Sequence, residues 1–237
     1  MSVVVARGVA FHTRRLGNGP PVVLLHGLLT GSIATWYFTA APRLAERFDV
    51  TMFDLRGHGR SEITATSYGA TEMALDIEAL TDDLPPFGIV AHSYGCVVAA
   101  RFAAAHPDRV RGLALVEPPF GLEIGDVDLD EVANAGRALP SRQQARLRTL
   151  LTETSLLDDI RREPELTDAE IAALPGDLLV VFGDRSPCRV GVEAVGRSRP
   201  DARVELLAGG HEVHLDATDA LTDLLDTFLA AAAELVR

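Results

Sequence analysis

Short apolar runs alternate with stretches of helical period along almost the whole chain. Runs fit for strands fall at residues 3–6, 10–15, 22–26, 50–53, 89–91, 110–116, 178–182 and 204–207. Between them, Met73, Ile77, Leu80 and Leu84 form one helical stripe. A second apolar stretch starts at Cys96 and stops at His106, before Pro107. Near the end, Leu221, Leu224, Leu225, Phe228 and Leu229 follow the i, i+3, i+4, i+7, i+8 spacing of an amphipathic helix. Strand and helix taking turns in this way predicts a single α/β domain over 1–237, with a mostly parallel eight-stranded sheet flanked by helices.

One segment breaks the alternation. From about 120 to 175 there is no strand pattern, only helical periods, charge and turns. Ser141-Arg142-Gln143-Gln144 and Thr167-Asp168-Ala169-Glu170 both read as capping boxes. An insertion of this kind between two sheet strands predicts a small helical lid over the carboxyl ends of the strands, where open α/β sheets bind ligands.

With 237 residues, 47% of them hydrophobic, the chain can bury a full core. Its net charge of −12 argues against nucleic acid and anionic membrane surfaces as partners. No apolar run approaches the roughly 20 residues of a membrane span, and the start lacks the pattern of a signal peptide. The expectation is a cytoplasmic protein acting on a small molecule. All 22 basic residues are Arg, a codon signature of a high-GC bacterial genome. Cys96 and Cys188 are too few for a disulfide framework or a cysteine metal site, so neither metal nor cofactor is expected. Cys96, on an apolar helix, reads as a small core residue.

The chemistry concentrates at Ala91-His92-Ser93-Tyr94-Gly95, between an apolar strand and an apolar helix. A serine on a sharp strand-to-helix turn needs small neighbours, which Ala91 and Gly95 supply. Such an elbow lifts the hydroxyl clear of the sheet, with a helix N-terminus behind it to favour negative charge. Ser93 is therefore the candidate nucleophile, and the backbone N–H of Tyr94 one candidate oxyanion donor. A second donor is expected from a loop after an earlier strand. Leu25-His26-Gly27-Leu28 fits, with the Leu28 N–H free to face the site. The candidate base is His211, at the Gly209-Gly210 turn after the last predicted strand; His214 and His92 are its rivals.

In His26-Gly27, Asp54-Leu55-Arg56-Gly57-His58-Gly59-Arg60-Ser61, the Ser93 elbow and Gly209-Gly210-His211, the chain resembles the α/β-hydrolase superfamily. The resemblance spans nearly the whole sequence, with the insertion at the family's variable cap. It implies that the base directly follows the glycine, which matches His211, and that Arg56 and His58 belong to a structural turn. It also implies an Asp three residues after the glycine ending the penultimate strand, but that slot holds Ser186. Serine cannot supply the charge that steadies an imidazolium. Two carboxylates could replace it. Asp184 lies two positions early, several ångström of chain from the expected place. Glu117 ends the strand after the elbow helix, where some superfamily members, certain haloalkane dehalogenases among them, carry their acid.

A serine nucleophile argues against the Asp-ester chemistry of the superfamily's epoxide hydrolases and dehalogenases. It points to hydrolysis of a small carboxylic ester or thioester through an acyl-enzyme. The vacant acid slot leaves an alternative, a fold repurposed for cyclisation, elimination or ligand sensing. Trp36, Tyr37, Phe38 and Phe120 follow the predicted site-forming loops and are read either as the lining of an apolar pocket or as core. Arg137, Arg142, Arg146 and Arg148 form a basic stretch in the predicted lid, read either as a guide for anionic substrates or as the solvated face of a helix.

Overall fold

Eight strands build one sheet in the order β1-β2-β4-β3-β5-β6-β7-β8. They are β1 (Ser2–Ala6), β2 (Val9–Leu16), β3 (Pro21–Leu25), β4 (Asp49–Phe53), β5 (Phe87–His92), β6 (Val110–Val116), β7 (Asp177–Gly183) and β8 (Arg203–Leu207). The computed structural model describes residues 2–122 and 140–234. β2 pairs antiparallel with both β1 and β4, and every other pairing is parallel. All eight predicted strands are present, most extended by a residue or two at an end. β6 keeps its predicted bounds, and β3 starts one residue early and stops at Leu25, short of His26.

The helices among the described residues are α1 (Ala34–Tyr37), α2 (Ala41–Leu44), α3 (Ala70–Leu80), α4 (Tyr94–Ala105), α5 (Ser141–Glu153), α6 (Leu156–Arg162), α7 (Asp168–Ala172), α8 (Gly191–Ser198), α9 (Val213–Asp216) and α10 (Thr218–Glu234). The central strands are apolar on both faces because helices cover both. Val23, Leu25, Ile89, Leu113 and Leu115 point to a core shared with Met73 and Ile77 of α3 and Val98 and Phe102 of α4. Their neighbours Val22, Leu24, Val90, Ala114 and Val116 face a second core with Trp36, Leu44, Leu221 and Leu225. Each fully buried Leu or Phe side chain contributes roughly 1.5–3 kcal/mol.

Two local expectations are revised. Leu84 lies beyond the end of α3 and packs against the core only in part. Ser141 caps nothing, because α5 starts one residue earlier than its apparent box. Pro140, extended at ψ 146, is the N-cap, and Ser141 is already helical. The box at Thr167 does form, with the hydroxyl accepting from Glu170 N–H at 3.2 Å and Glu170 Oε2 from Thr167 N–H at 2.8 Å.

The growth of the sheet reverses at β3, which has β4 on one side and β5 on the other. That reversal opens a crevice at the carboxyl ends of β3 and β5. Helices α5 to α7 pack onto the same body. Leu150, Leu156, Ile160 and Ile171 join the first core. The Asp159 carboxylate accepts from Ser67 N–H at 3.0 Å and Tyr68 N–H at 2.9 Å. Arg101 of α4 donates from Nε to Glu163 Oε1 at 3.2 Å. Arg146 donates to the carbonyls of Gly57, at 3.0 Å, and Ser61. Arg142 and Arg148 are exposed, and Arg137 lies outside the described residues. Arg146 is thus a strut, and its two described neighbours are solvated. Among the described residues, no helix is long and apolar enough to cross a membrane.

Candidate active site

Ser93 sits between β5 and α4 with φ 54 and ψ −130, outside the regions open to most L-residues. Such a conformation costs on the order of 1–3 kcal/mol and persists only where its surroundings hold it. Its N–H donates to Val116 O at 2.9 Å, and its carbonyl accepts from Cys96 N–H at 2.8 Å. The small neighbours are required. A Cβ at Gly95 would lie 2.4 Å from His26 O, and one at Gly27 would lie 2.8 Å from Ser93 Cβ and 3.3 Å from its Oγ. Cys96 is fully buried, its thiol donating to Ala91 O and Val116 O at 3.3 Å.

That approach of Gly27 brings the loop carrying Leu28 alongside the serine, while Tyr94 follows Ser93 directly and opens α4. Two buried histidines hold the loop. His26 Nδ1 donates to Gly27 O at 2.6 Å and its Nε2 accepts from Leu55 N–H at 2.9 Å. His58 Nδ1 donates to Arg56 O and its Nε2 accepts from Leu29 N–H, both at 2.8 Å. Burial pushes both pKa values down, that of His58 to about 3, so each ring is neutral and able to accept. The side chain of Arg56 pairs with Asp76 in the interior, Nε to Oδ2 at 2.6 Å.

His211 Nε2 lies 3.0 Å from Ser93 Oγ, and its Nδ1 lies 3.1 Å from Glu117 Oε2. These groups are 118 and 94 positions apart in the chain. Glu117 is fully buried and, like Ser93, has a positive φ, 59, just past the end of its strand. Its carboxylate also accepts from Gly183 N–H and from the Ser186 hydroxyl. Ser186 therefore donates to the carboxylate that faces His211. Asp184 is turned elsewhere, its Oδ1 accepting from Gly209 N–H at 2.9 Å.

The rival histidines point away from Ser93. His92 Nε2 donates to the carbonyl of His211 at 3.0 Å, and its ring lies 4.7 Å from that of His214. Burial lowers the pKa of both, that of His214 to about 4. His211 behaves oppositely. Burial again disfavours its charged form, but hydrogen bonds and charge from Cys188 and Glu117 outweigh it and raise the pKa above the ordinary 6.5. Cys188 is an addition that no sequence pattern signalled, with Sγ 3.4 Å from His211 Nδ1. Its backbone N–H donates to Ser186 Oγ at 3.1 Å.

Of the aromatic candidates, Trp36 is core, fully buried with Nε1 donating to Leu25 O at 2.8 Å. Tyr37 and the exposed Phe38 line a cavity of about 270 Å³ with Leu29, Arg146 and Leu150. Phe120 lines a second, of about 260 Å³, with Tyr94, Val97 and Leu166.

A family model described as alpha/beta hydrolase fold matches residues 20–153. The chain is 39% identical over 107 residues to pimeloyl-[acyl-carrier protein] methyl ester esterase of Chromobacterium violaceum, covering 43% of this chain and 38% of that protein. It is 30% identical over 250 residues to the magnesium-chelatase 30 kDa subunit of Rhodobacter capsulatus, covering 88% and 86%. The chain spans less than half the length of several curated relatives that it matches. Among solved structures, the enol-lactonase from Burkholderia xenovorans LB400 superposes with a TM-score of 0.79 at 20% identity, over 97% of this chain and 100% of that one.

Proposed function

The chain belongs to the alpha/beta hydrolase fold family, and on that premise we propose that it hydrolyses a small carboxylic ester or thioester through an acyl-enzyme on Ser93. One observation carries the reading: the continuous series Glu117–His211–Ser93, with contacts of 3.1 and 3.0 Å. Ser93 Oγ attacks the substrate carbonyl carbon while His211 Nε2 takes the hydroxyl proton. The Nδ1–H held by Glu117 keeps the lone pair on Nε2 and steadies the imidazolium that forms. The carbonyl oxygen, now an anion, is received by the N–H groups of Leu28 and Tyr94; losing one such donor typically costs about 2.7–4 kcal/mol of transition-state stabilisation. His211 then returns its proton to the departing alcohol or thiol. Water repeats the attack on the acyl-enzyme and frees the acid.

In this reading α5 to α7 belong to a lid over the carboxyl ends of the strands; residues 123–139 of the predicted insertion lie outside the described residues. The similarity to a methyl ester esterase of Chromobacterium violaceum supports the ester class. The alternative of a repurposed fold drew on the vacant acid slot at Ser186, and with Glu117 against His211 that motive falls away. A fluorophosphonate probe is expected to label Ser93, and p-nitrophenyl acetate turnover to vanish in Ser93→Ala. A folded protein that takes no label, or turnover that survives in Ser93→Ala, overturns the proposal.

A further inference from the structure

The sequence has too few cysteines for a cysteine-built metal framework, but the fold brings one of them to a histidine and a glutamate. Cys188 Sγ, His211 Nδ1 and a Glu117 carboxylate oxygen all lie within 4.8 Å of one another. We propose that these three side chains form a site for a thiophilic divalent cation, of the class of Zn²⁺ and Cd²⁺, on the side of the His211 ring away from Ser93.

The donor set is a carboxylate, an imidazole nitrogen and a thiol, the three ligand types that zinc takes most often. Geometry comes close without rebuilding. A tetrahedral ion with Zn–S near 2.3 Å, Zn–N near 2.0 Å and Zn–O near 2.0 Å requires N···S of about 3.5 Å and N···O of about 3.3 Å. The observed separations are 3.4 Å from His211 Nδ1 to Cys188 Sγ and 3.1 Å to Glu117 Oε2. These two pairs need to part by only a few tenths of an ångström, and Sγ lies within 4.8 Å of the carboxylate oxygen. Charge also balances, because the carboxylate and a thiolate neutralise the dication in surroundings where Glu117 and Cys188 are buried. Ser186 and Gly183, which already donate to the Glu117 carboxylate, orient that ligand as outer partners do in metal sites. The third ligand, His211, is half-buried, and the fourth position falls to water.

Binding changes the histidine. The Cys188 thiol releases its proton to solvent as the S–metal bond forms, and the Glu117–Nδ1–H hydrogen bond breaks. The neutral ring gives up its proton at Nδ1 and carries one at Nε2 instead, so Nε2 can no longer accept from Ser93 Oγ. The site would therefore act as an off-switch, reversed by removal of the ion. That consequence rests on the acyl-enzyme reading; the metal site itself does not.

The experiment has two readouts. Cd²⁺ titrated into the intact wild-type protein is expected to give the ultraviolet thiolate-to-cadmium charge-transfer band, saturating at one ion per chain. Cys188→Ala and Cys188→Ser, each checked for native circular dichroism, are expected to lose the band. In parallel, saturating Zn²⁺ is expected to slow fluorophosphonate labelling of Ser93 at least tenfold in wild type and to be reversed by EDTA. No band in wild type overturns the site, as does a band that survives in both variants. Labelling slowed equally by Zn²⁺ in wild type and in the Cys188 variants overturns the switch. A cadmium band on a protein that never takes the fluorophosphonate supports the site and removes the hydrolase reading.

Discussion

Glu117→Gln isolates what the buried carboxylate contributes, because it preserves volume and removes charge. Glu117 Oε1 faces a donor, Gly183 N–H, and Oε2 faces two, the Ser186 hydroxyl and His211 Nδ1 at 3.1 Å. Whichever way the amide points, its NH₂ meets a donor. Turned toward Gly183 it leaves two buried N–H groups opposed, an unsatisfied arrangement costing about 1–3 kcal/mol. Turned toward His211 it is satisfied if Ser186 rotates to accept and Nδ1 gives up its hydrogen. The second arrangement is favoured, and it moves the imidazole proton to Nε2, where it blocks transfer from Ser93. The expected result is a fall in kcat on p-nitrophenyl acetate of about 10³–10⁴-fold with KM little changed, the scale seen when a triad acid becomes an amide. Fluorophosphonate labelling of Ser93 should slow in parallel while the melting temperature moves little. A variant that keeps more than one-fifth of wild-type kcat would refute the reasoning. Asp184→Asn is the control, since Asp184 binds Gly209 N–H and not His211, and its activity should stay within about threefold of wild type if an exposed turn bond is worth roughly 0.5 kcal/mol.

Further outcomes are expected. Removing the Ser186 hydroxyl in Ser186→Ala takes away one charge-assisted bond to Glu117, worth about 1.5–3 kcal/mol, and should lower kcat/KM by tenfold or more; an unchanged value would show that the serine does not hold the acid. Because His211 accepts a proton only when neutral and its pKa is raised above 6.5, the activity should rise with pH along a limb centred above 6.5. Cys188→Ala should shift that limb downward, and a pH–rate profile with an unmoved limb would exclude a hand for Cys188 in the titration. Asp76→Ala strands the buried Arg56 guanidinium and should cost about 3–5 kcal/mol, read as a lower urea midpoint. A loss under 1 kcal/mol would mean that water replaces the carboxylate there.

The α/β alternation, the extent of the sheet and the place of the elbow were readable because each is local. Strands declare themselves by runs of Val, Leu and Ile, and the turn at Ser93 by the small residues that its close contacts demand. His211 was readable for a similar reason, following a Gly-Gly turn after the last strand. Other features were not. Ser141 looked like a cap and is inside its helix, because only the backbone around Pro140 fixes where α5 begins. Arg146 looked like one charge in a solvated stretch and is bound to two carbonyls some 85 or more positions away. Trp36 could be read as pocket or core, and only the packing shows that it is core.

The sequence by itself therefore determined the fold and the place of the strand-to-helix turn at Ser93, through patterns that need only neighbouring residues to be read. Which carboxylate faces His211 was decided by tertiary structure alone. β6 lies beside β7 with Val116 opposite Val181, so the next residue, Glu117, leaves its strand level with Phe182 and its carboxylate reaches Gly183 N–H and the Ser186 hydroxyl, while Asp184 is drawn toward Gly209. The same register brings Cys188 to the back of the imidazole. Contacts of this kind join residues from separate elements, and their distances are fixed by strand order and packing, which no single stretch of sequence contains.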